Sequence, residues 1–278
     1  MIRIVTDSTV NITRKRAAQL GLTVLPMGYT VNGQRYLESF TDCNGNFEAL
    51  LQNKNFVTNQ VSVESFVSAF SELVRRGDQV LCIVISSRLS GTYRSAFAAA
   101  AQINATYGGE EKVIVVDSLC TAGGMLLLCQ QAIALAGQGM GLQELAQRVE
   151  EERKRISVVF SLDSMDALRR SGRIGIVRQS VSTILNLRPL LCCKDGAVVS
   201  LGSARGRNEQ INALVRTIET APERMIINGS STSPALAQLQ RELEVHFAQV
   251  PLEHHGVGPV LGHHLGMGVL AVSWIDKE

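Results

Sequence analysis

Four short clusters of small polar residues carry most of the side chains able to hold a ligand. They are Thr6-Asp7-Ser8-Thr9, Thr58-Asn59-Gln60-Val61-Ser62, Ser86-Ser87-Arg88-Leu89-Ser90-Gly91-Thr92 and Asp117-Ser118. The third combines hydroxyls, a glycine that lets backbone approach closely, and the expected start of a helix. Free N–H groups and the helix dipole there suit an anion. The plain alternative is that Ser90 or Thr92 only caps that helix, which is what such residues usually do. Thr58 lies just before Ser62, itself an N-cap candidate, and its hydroxyl is placed to converge with Ser90 on one small acidic group.

Two histidine pairs, His254-His255 and His263-His264, invite a metal. Neighbours on an extended chain point to opposite sides, so neither pair makes a two-ligand arm, and no metal is expected. Arg169, Arg170, Arg173, Arg178, Arg188, Arg205 and Arg207 make the second half locally basic. They read either as solvated surface with weak ion pairs or as a docking surface for an acidic or phosphorylated group. Neither a Walker A run nor a Gly-x-Ser-x-Gly elbow occurs, so no resident nucleotide and no serine hydrolase of the common kind is signalled.

The elements that must position these residues come next. At 278 residues and 45% apolar content the chain can bury a sizeable core, and its length suits two modest domains. A net charge of +2 gives no case for nucleic acid. The six cysteines form no CxxC pair and read as buried hydrophobes in a reducing compartment. No apolar run approaches the ~20 residues that span a bilayer, and Met1 leads into a short strand instead of a secretory leader. A cytoplasmic protein with no integral membrane segment is the expectation.

Apolar runs at 2–5, 79–85 and 112–116 read as buried strands, with helices near 12–20, 62–76, 92–106, 121–136 and 142–155 between and after them. Continuously apolar strands separated by helices predict a parallel sheet covered on both faces. The pattern changes after residue 156: a strand at 157–162, a helix capped by Ser164, and two runs flanking Lys194-Asp195-Gly196-Ala197, an Asp-Gly hairpin signal. Ser233-Pro234 reads as N-cap and first helical residue, and the chain closes with a glycine-rich loop and a strand at 269–275. The expected fold is α/β in two domains, residues 1–156 with a parallel sheet and 157–278 with a mixed sheet, and the ligand between them.

Taken in order, Thr6-Asp7-Ser8-Thr9, Thr58 to Ser62, Ser87-Arg88-Leu89-Ser90-Gly91-Thr92-Tyr93, Asp117-Ser118, Arg170-Ser171-Gly172-Arg173, Arg188-Pro189 and Gly262-His263-His264-Leu265-Gly266-Met267-Gly268 resemble the DegV family over nearly the whole chain. Asn59 and Val61 stand where that family usually has serine and proline, and Met267 where a proline is usual. The resemblance implies a fatty-acid-binding protein, not an enzyme, similar to the binding subunit of bacterial fatty-acid kinase. It would hold a long-chain fatty acid in an apolar tunnel and present the carboxylate to the ATP-binding kinase subunit. By resemblance Thr58 and Ser90, with Gly91 beside them, hold the carboxylate, His264 lies near the same end, and Arg205, with Arg207, docks the kinase. No cofactor is implied. The hydroxyl-rich loops also leave open an independent phosphotransfer enzyme acting on a small polyol.

Overall fold

The computed structural model describes residues 1–173 and 186–278; Arg178 lies outside them. In chain order come β1 (Ile2–Asp7), a 3-10 turn (Ser8–Val10), α1 (Arg14–Leu20), β2 (Thr23–Leu25), β3 (Gly28–Val31), β4 (Gln34–Leu37) and a 3-10 segment (Phe47–Gln52). Next are β5 (Phe56–Asn59), α2 (Val63–Arg75), β6 (Gln79–Val84), α3 (Thr92–Tyr107), β7 (Val113–Asp117), α4 (Ala122–Gly137) and α5 (Leu142–Glu152). The remainder is β8 (Ile156–Ser161), α6 (Asp166–Ser171), β9 (Leu187–Lys194), β10 (Ala197–Arg205), α7 (Gly206–Arg216), β11 (Arg224–Asn228), α8 (Pro234–His246), β12 (Leu252–His255), α9 (Pro259–Leu265) and β13 (Leu270–Ile275).

The first sheet is parallel, in the order β2-β1-β6-β7. Strand alternation splits β6 between two cores. Val80, Cys82 and Val84 pack with Phe66 and Phe70 of α2 and Ala96 of α3, while Leu81 and Ile83 pack with Leu126 of α4 and Leu145 of α5. The second sheet is mixed, in the order β10-β9-β8-β13-β11-β12, and uses residues from 156 onward. Asp195 and Gly196 make its two-residue hairpin with φ of 48° and 79°, the left-handed pair this turn demands. Ser62 and Ser233 cap α2 and α8 as expected, accepting from Ser65 N and Leu236 N.

Helix α4 is apolar all round because it lies between the sheets, touching β1 and β6 on one side and β8, β11 and β13 on the other. Gly123 and Gly124 make that approach possible. A Cβ at Gly123 would meet Asn228 Oδ1 at 2.8 Å and Ile226 Cγ2 at 2.9 Å, and one at Gly124 would run into Val158 Cγ2. One core therefore runs through both sheets, with Ile4, Leu81, Leu126, Val158 and Ile226 in a single cluster.

Four expectations need correction. A third, antiparallel sheet, β4-β3-β5, fills residues 28–59, and Thr58 sits in its strand β5, not in a loop. The glycine-rich C-terminal stretch is helical as far as Leu265, because Pro259 opens α9 and Gly266, at φ 80°, closes it. His263 and His264 therefore occupy a helix end instead of extended chain. The N-cap of α6 is Met165; Ser164 lies one residue earlier, its Oγ accepting from Asp166 N at 3.3 Å. The helix expected from residue 12 starts at Arg14, capped by Thr13 and preceded by the 3-10 turn.

Candidate functional site

A cavity of about 1070 Å³, part of it open to solvent, lies between the ends of β1 and β6 and the inner face of the mixed sheet. Its walls are largely apolar: Phe160 and Ala271 from β8 and β13, Val198 from β10, Leu168 from α6, and Val260 and Leu261 from α9. Thr58, Asn59, Gln60, Ser90, Gly91, Arg173 and His264 face the cavity, and Asn11, Thr121 and Asn228 add polar groups elsewhere in its lining.

Each of these residues is set by a local reason. Ser90 precedes the N-cap of α3, and its Oγ accepts from Thr92 N at 3.2 Å and lies 2.9 Å from Thr92 Oγ1. It thus serves the helix start and lines the cavity at once. A Cβ at Gly91 would displace the Gln60 side chain from its place. Gln60 in turn donates to Ser95 Oγ at 2.8 Å, which ties the β5–α2 connection to α3.

Thr58 Oγ1 lies 3.0 Å from His264 Nε2. His264 Nδ1 is buried and has no partner among the described residues. Burial, with smaller contributions from Arg173 and His263, pushes the imidazole down to about 3, so it is neutral near pH 7. A neutral ring carries one N–H. Placing it on Nε2 leaves a lone pair on Nδ1, and the opposite tautomer leaves a buried N–H orphaned, the costlier outcome. Nε2–H therefore donates to Thr58 Oγ1, and the threonine hydroxyl is left free to donate into the cavity.

His263 anchors the same helix end from outside. Its ring stacks on Phe56 at 4.5 Å, Phe56 on Tyr29 at 5.0 Å, and Tyr29 on Tyr36 at 5.1 Å. The other end of α9 is held by Glu38, which is fully buried and accepts from Ser8 Oγ at 2.7 Å and Val260 N at 3.2 Å. Asn11 Oδ1 accepts from Gly258 N at 2.8 Å beside it.

The structure thus brings Thr58, Ser90, Gly91 and His264 together on one cavity. Arg205 and Arg207 lie outside it. Arg205 is exposed at the end of β10, and Arg207 donates to Gln210 Oε1 at 2.7 Å and to Asp163 Oδ1 at 3.1 Å. Sequence reasoning placed Arg173 in a basic cluster and in the Arg170-Ser171-Gly172-Arg173 match without giving it a role at the site, but among the described residues it is the cation that lines the cavity. The order of the Arg-Ser-Gly-Arg run was the available signal. Glu38 carried none, because its role depends on chain that folds against it from residue 260. Among the described residues no group of three His, Cys, Asp or Glu side chains is placed to hold a metal, and no helix is long and apolar enough to cross a membrane.

Fold and cavity together define an α/β protein of two principal sheets that encloses a largely apolar space bordered by hydroxyls. The family model described as uncharacterised protein, DegV family, matches residues 1–277, and the chain belongs to that family. A DegV domain-containing protein of Halalkalibacterium halodurans is 28% identical over 100% of this chain and 99% of its own. A Thermus thermophilus DegV family protein, its structure described as fatty-acid binding, is 28% identical with a TM-score of 0.84 over 99% of each chain. The Streptococcus pneumoniae Fatty Acid Kinase (Fak) B3 protein, loaded with linoleic acid, shares the fold at a TM-score of 0.84 and 18% identity over 100% of both chains.

Proposed function

We propose that this protein binds a long-chain fatty acid in the cavity and presents its carboxylate to the ATP-binding subunit of a fatty-acid kinase. The observation that carries the reading is a largely apolar space bordered by two hydroxyls and an arginine, with His264 orienting the Thr58 hydroxyl. A carboxylate is the acceptor such donors fit. The walls are poorly suited to a polyol, whose hydroxyls would find no partners against Phe160, Leu261 and Ala271. The fatty-acid binding of the Thermus thermophilus relative supports the same conclusion.

In this reading residues 1–156 and 157–278 act as two domains that close on the ligand, and the protein works in the cytoplasm, which its free cysteines favour. Burying about 14 methylenes at roughly 0.8 kcal/mol each contributes about 11 kcal/mol before the cost of association. The tail therefore supplies affinity, and Thr58 and Ser90 supply register. Arg205, exposed and without a side-chain partner among the described residues, is the docking contact for the kinase. Arg207 assists it, although a partner's acid must compete with Asp163 for its guanidinium.

Organic extraction of the folded protein followed by lipid mass spectrometry is expected to yield one saturated or monounsaturated fatty acid per chain. Repeated extracts without stoichiometric fatty acid, in detergent-free preparations, would remove the reading. Ser90→Ala and Thr58→Ala are each expected to weaken palmitate binding by about 1–2 kcal/mol, the worth of a hydrogen bond to a charged group. The double variant should lose less than the sum, since both hydroxyls address one carboxylate. Titration of delipidated protein decides it, and single variants that bind as tightly as the parent would show the clamp to be misassigned.

A further inference from the structure

Ser86 is fully buried two residues past the end of β6, and each of its polar groups has a partner. Its N–H donates to Cys120 O at 2.9 Å. Its carbonyl accepts from Leu89 N at 2.9 Å and Ser90 N at 3.1 Å, which folds the loop into a turn that ends on Ser90. Its Oγ accepts from Arg88 N at 3.2 Å and donates to Gly196 O at 2.7 Å. That last bond leaves the loop altogether. It reaches the Asp195-Gly196 turn between β9 and β10, 110 residues further along the chain and in the mixed sheet. Two further contacts seat the loop on the turn. Arg88 Nη1 donates to Asp195 O at 3.1 Å, and a Cβ at Gly196 would stand 2.5 Å from Ser86 Oγ, so a side chain there would push the serine off the turn. The loop that carries Ser90 thus follows a strand of the parallel sheet and is held in place by a hairpin of the mixed one.

We infer that Ser86 is a positioning residue for the carboxylate clamp: it registers the Ser90 loop on the Asp195-Gly196 hairpin, so that the Ser90 hydroxyl meets the ligand's head group. The inference rests on the fatty-acid reading above. Ser86 stands outside the cavity lining, so it acts through Ser90 and not on the ligand itself. Without its hydroxyl, Arg88 N and Gly196 O lose their partner, and the turn is free to move off the hairpin and carry Ser90 with it. Such a movement costs the hydrogen bond to the carboxylate but little of the contact along the acyl chain, which is made by other elements.

The test titrates delipidated parent, Ser86→Ala, Ser90→Ala, the double variant and Arg88→Ala with palmitate and with hexadecanol, which has the same chain length and no charge. Ser86→Ala is expected to weaken palmitate binding about fivefold and to leave hexadecanol binding near the parent value. The double variant should bind palmitate as Ser90→Ala alone does, because a hydroxyl already removed cannot be misplaced. Arg88→Ala removes an exposed side chain and its bond to Asp195 O. It should disfavour palmitate against hexadecanol in the same sense by less, and it carries the test if Ser86→Ala folds poorly. Equal losses for the two ligands, or a double variant that shows both single effects multiplied, make Ser86 a merely structural residue and overturn the inference. Palmitate affinities at the parent value in both Ser86→Ala and Arg88→Ala also overturn it and leave the fatty-acid reading standing. Parent protein that binds neither ligand overturns both.

Discussion

Asp7→Ala is expected to lower the free energy of unfolding by about 2–5 kcal/mol, the largest effect of any single substitution considered for this chain. The carboxylate is fully buried at the end of β1. Its Oδ1 accepts from Thr9 N at 2.9 Å and Thr9 Oγ1 at 2.5 Å, and its Oδ2 accepts from Ile85 N at 2.7 Å. Truncation orphans two buried backbone donors at once, one in the 3-10 turn after β1 and one just past the end of β6. Burial holds this carboxyl above its usual range, so removing a costly charge offsets part of the loss. The function should suffer too, because Ile85 lines the cavity and leads directly into the loop of Ser90. Urea unfolding at constant slope reads the change, and a midpoint equal to the parent's would contradict this account of how the strand ends are held.

Glu38→Gln should change the pH dependence of stability. Desolvation lifts the Glu38 carboxyl from 4.5 to about 7. Between those values the folded chain keeps a proton that the unfolded chain has released, so stability falls as pH rises through the window, by about 1.4 kcal/mol per unit and about 3 kcal/mol in all. His264 works in the opposite sense. Its folded value of about 3 lies below the ordinary 6.5, so its contribution is present above 6.5 and is lost as pH falls towards 3. Other shifted groups, Asp7 and Glu253 among them, also shape the parent's profile, but the difference between variant and parent isolates Glu38. That difference should favour the glutamine variant progressively from pH 4.5 to 7 and then level off. Parallel profiles across the window would mean that Glu38 does not hold its proton in the folded chain.

The strands β1, β6 and β7 were legible because strands covered on both faces must be apolar throughout, and that demand leaves a plain mark on composition. The hairpin at Asp195-Gly196 and the caps at Ser62 and Ser233 were legible because their signals are local. The small antiparallel sheet was missed although Asn32-Gly33, with φ of 51° and 83°, offers the same kind of turn signal. Its partner strand, Gln34–Leu37, is largely polar and exposed, so no apolar run flanks the turn on that side. Helix α9 was hidden for another reason. Both its flanking residues, Gly258 and Gly266, and its internal Gly262 are glycine, and what holds it helical, Glu38 on Val260 N and Asn11 on Gly258 N, arrives from more than 200 residues away. As for the candidate site, spacing alone left open whether Ser90 or Thr92 merely caps the helix; the structure puts Ser90 one residue before the N-cap Gly91, its Oγ accepting from Thr92 N, and on the cavity. The partnership of Thr58 and His264 had no local signature, being a contact between residues 206 apart in the chain.

The ladder of rings from Tyr36 through Tyr29 and Phe56 to His263 has a kinetic consequence. The small sheet has little interior of its own, with Tyr29, Val31 and Phe56 as its fully buried apolar residues. Its adhesion to α9 and to the 3-10 segment Phe47–Gln52 must supply most of its stability. Such a unit opens by sub-global unfolding, at a free energy well below that of the two larger sheets. Each opening withdraws Thr58 from His264 and uncovers that side of the cavity while the apolar walls stay intact. A fatty acid held as proposed would then exchange at the pace of this small sheet, decoupled from the lifetime of the native fold.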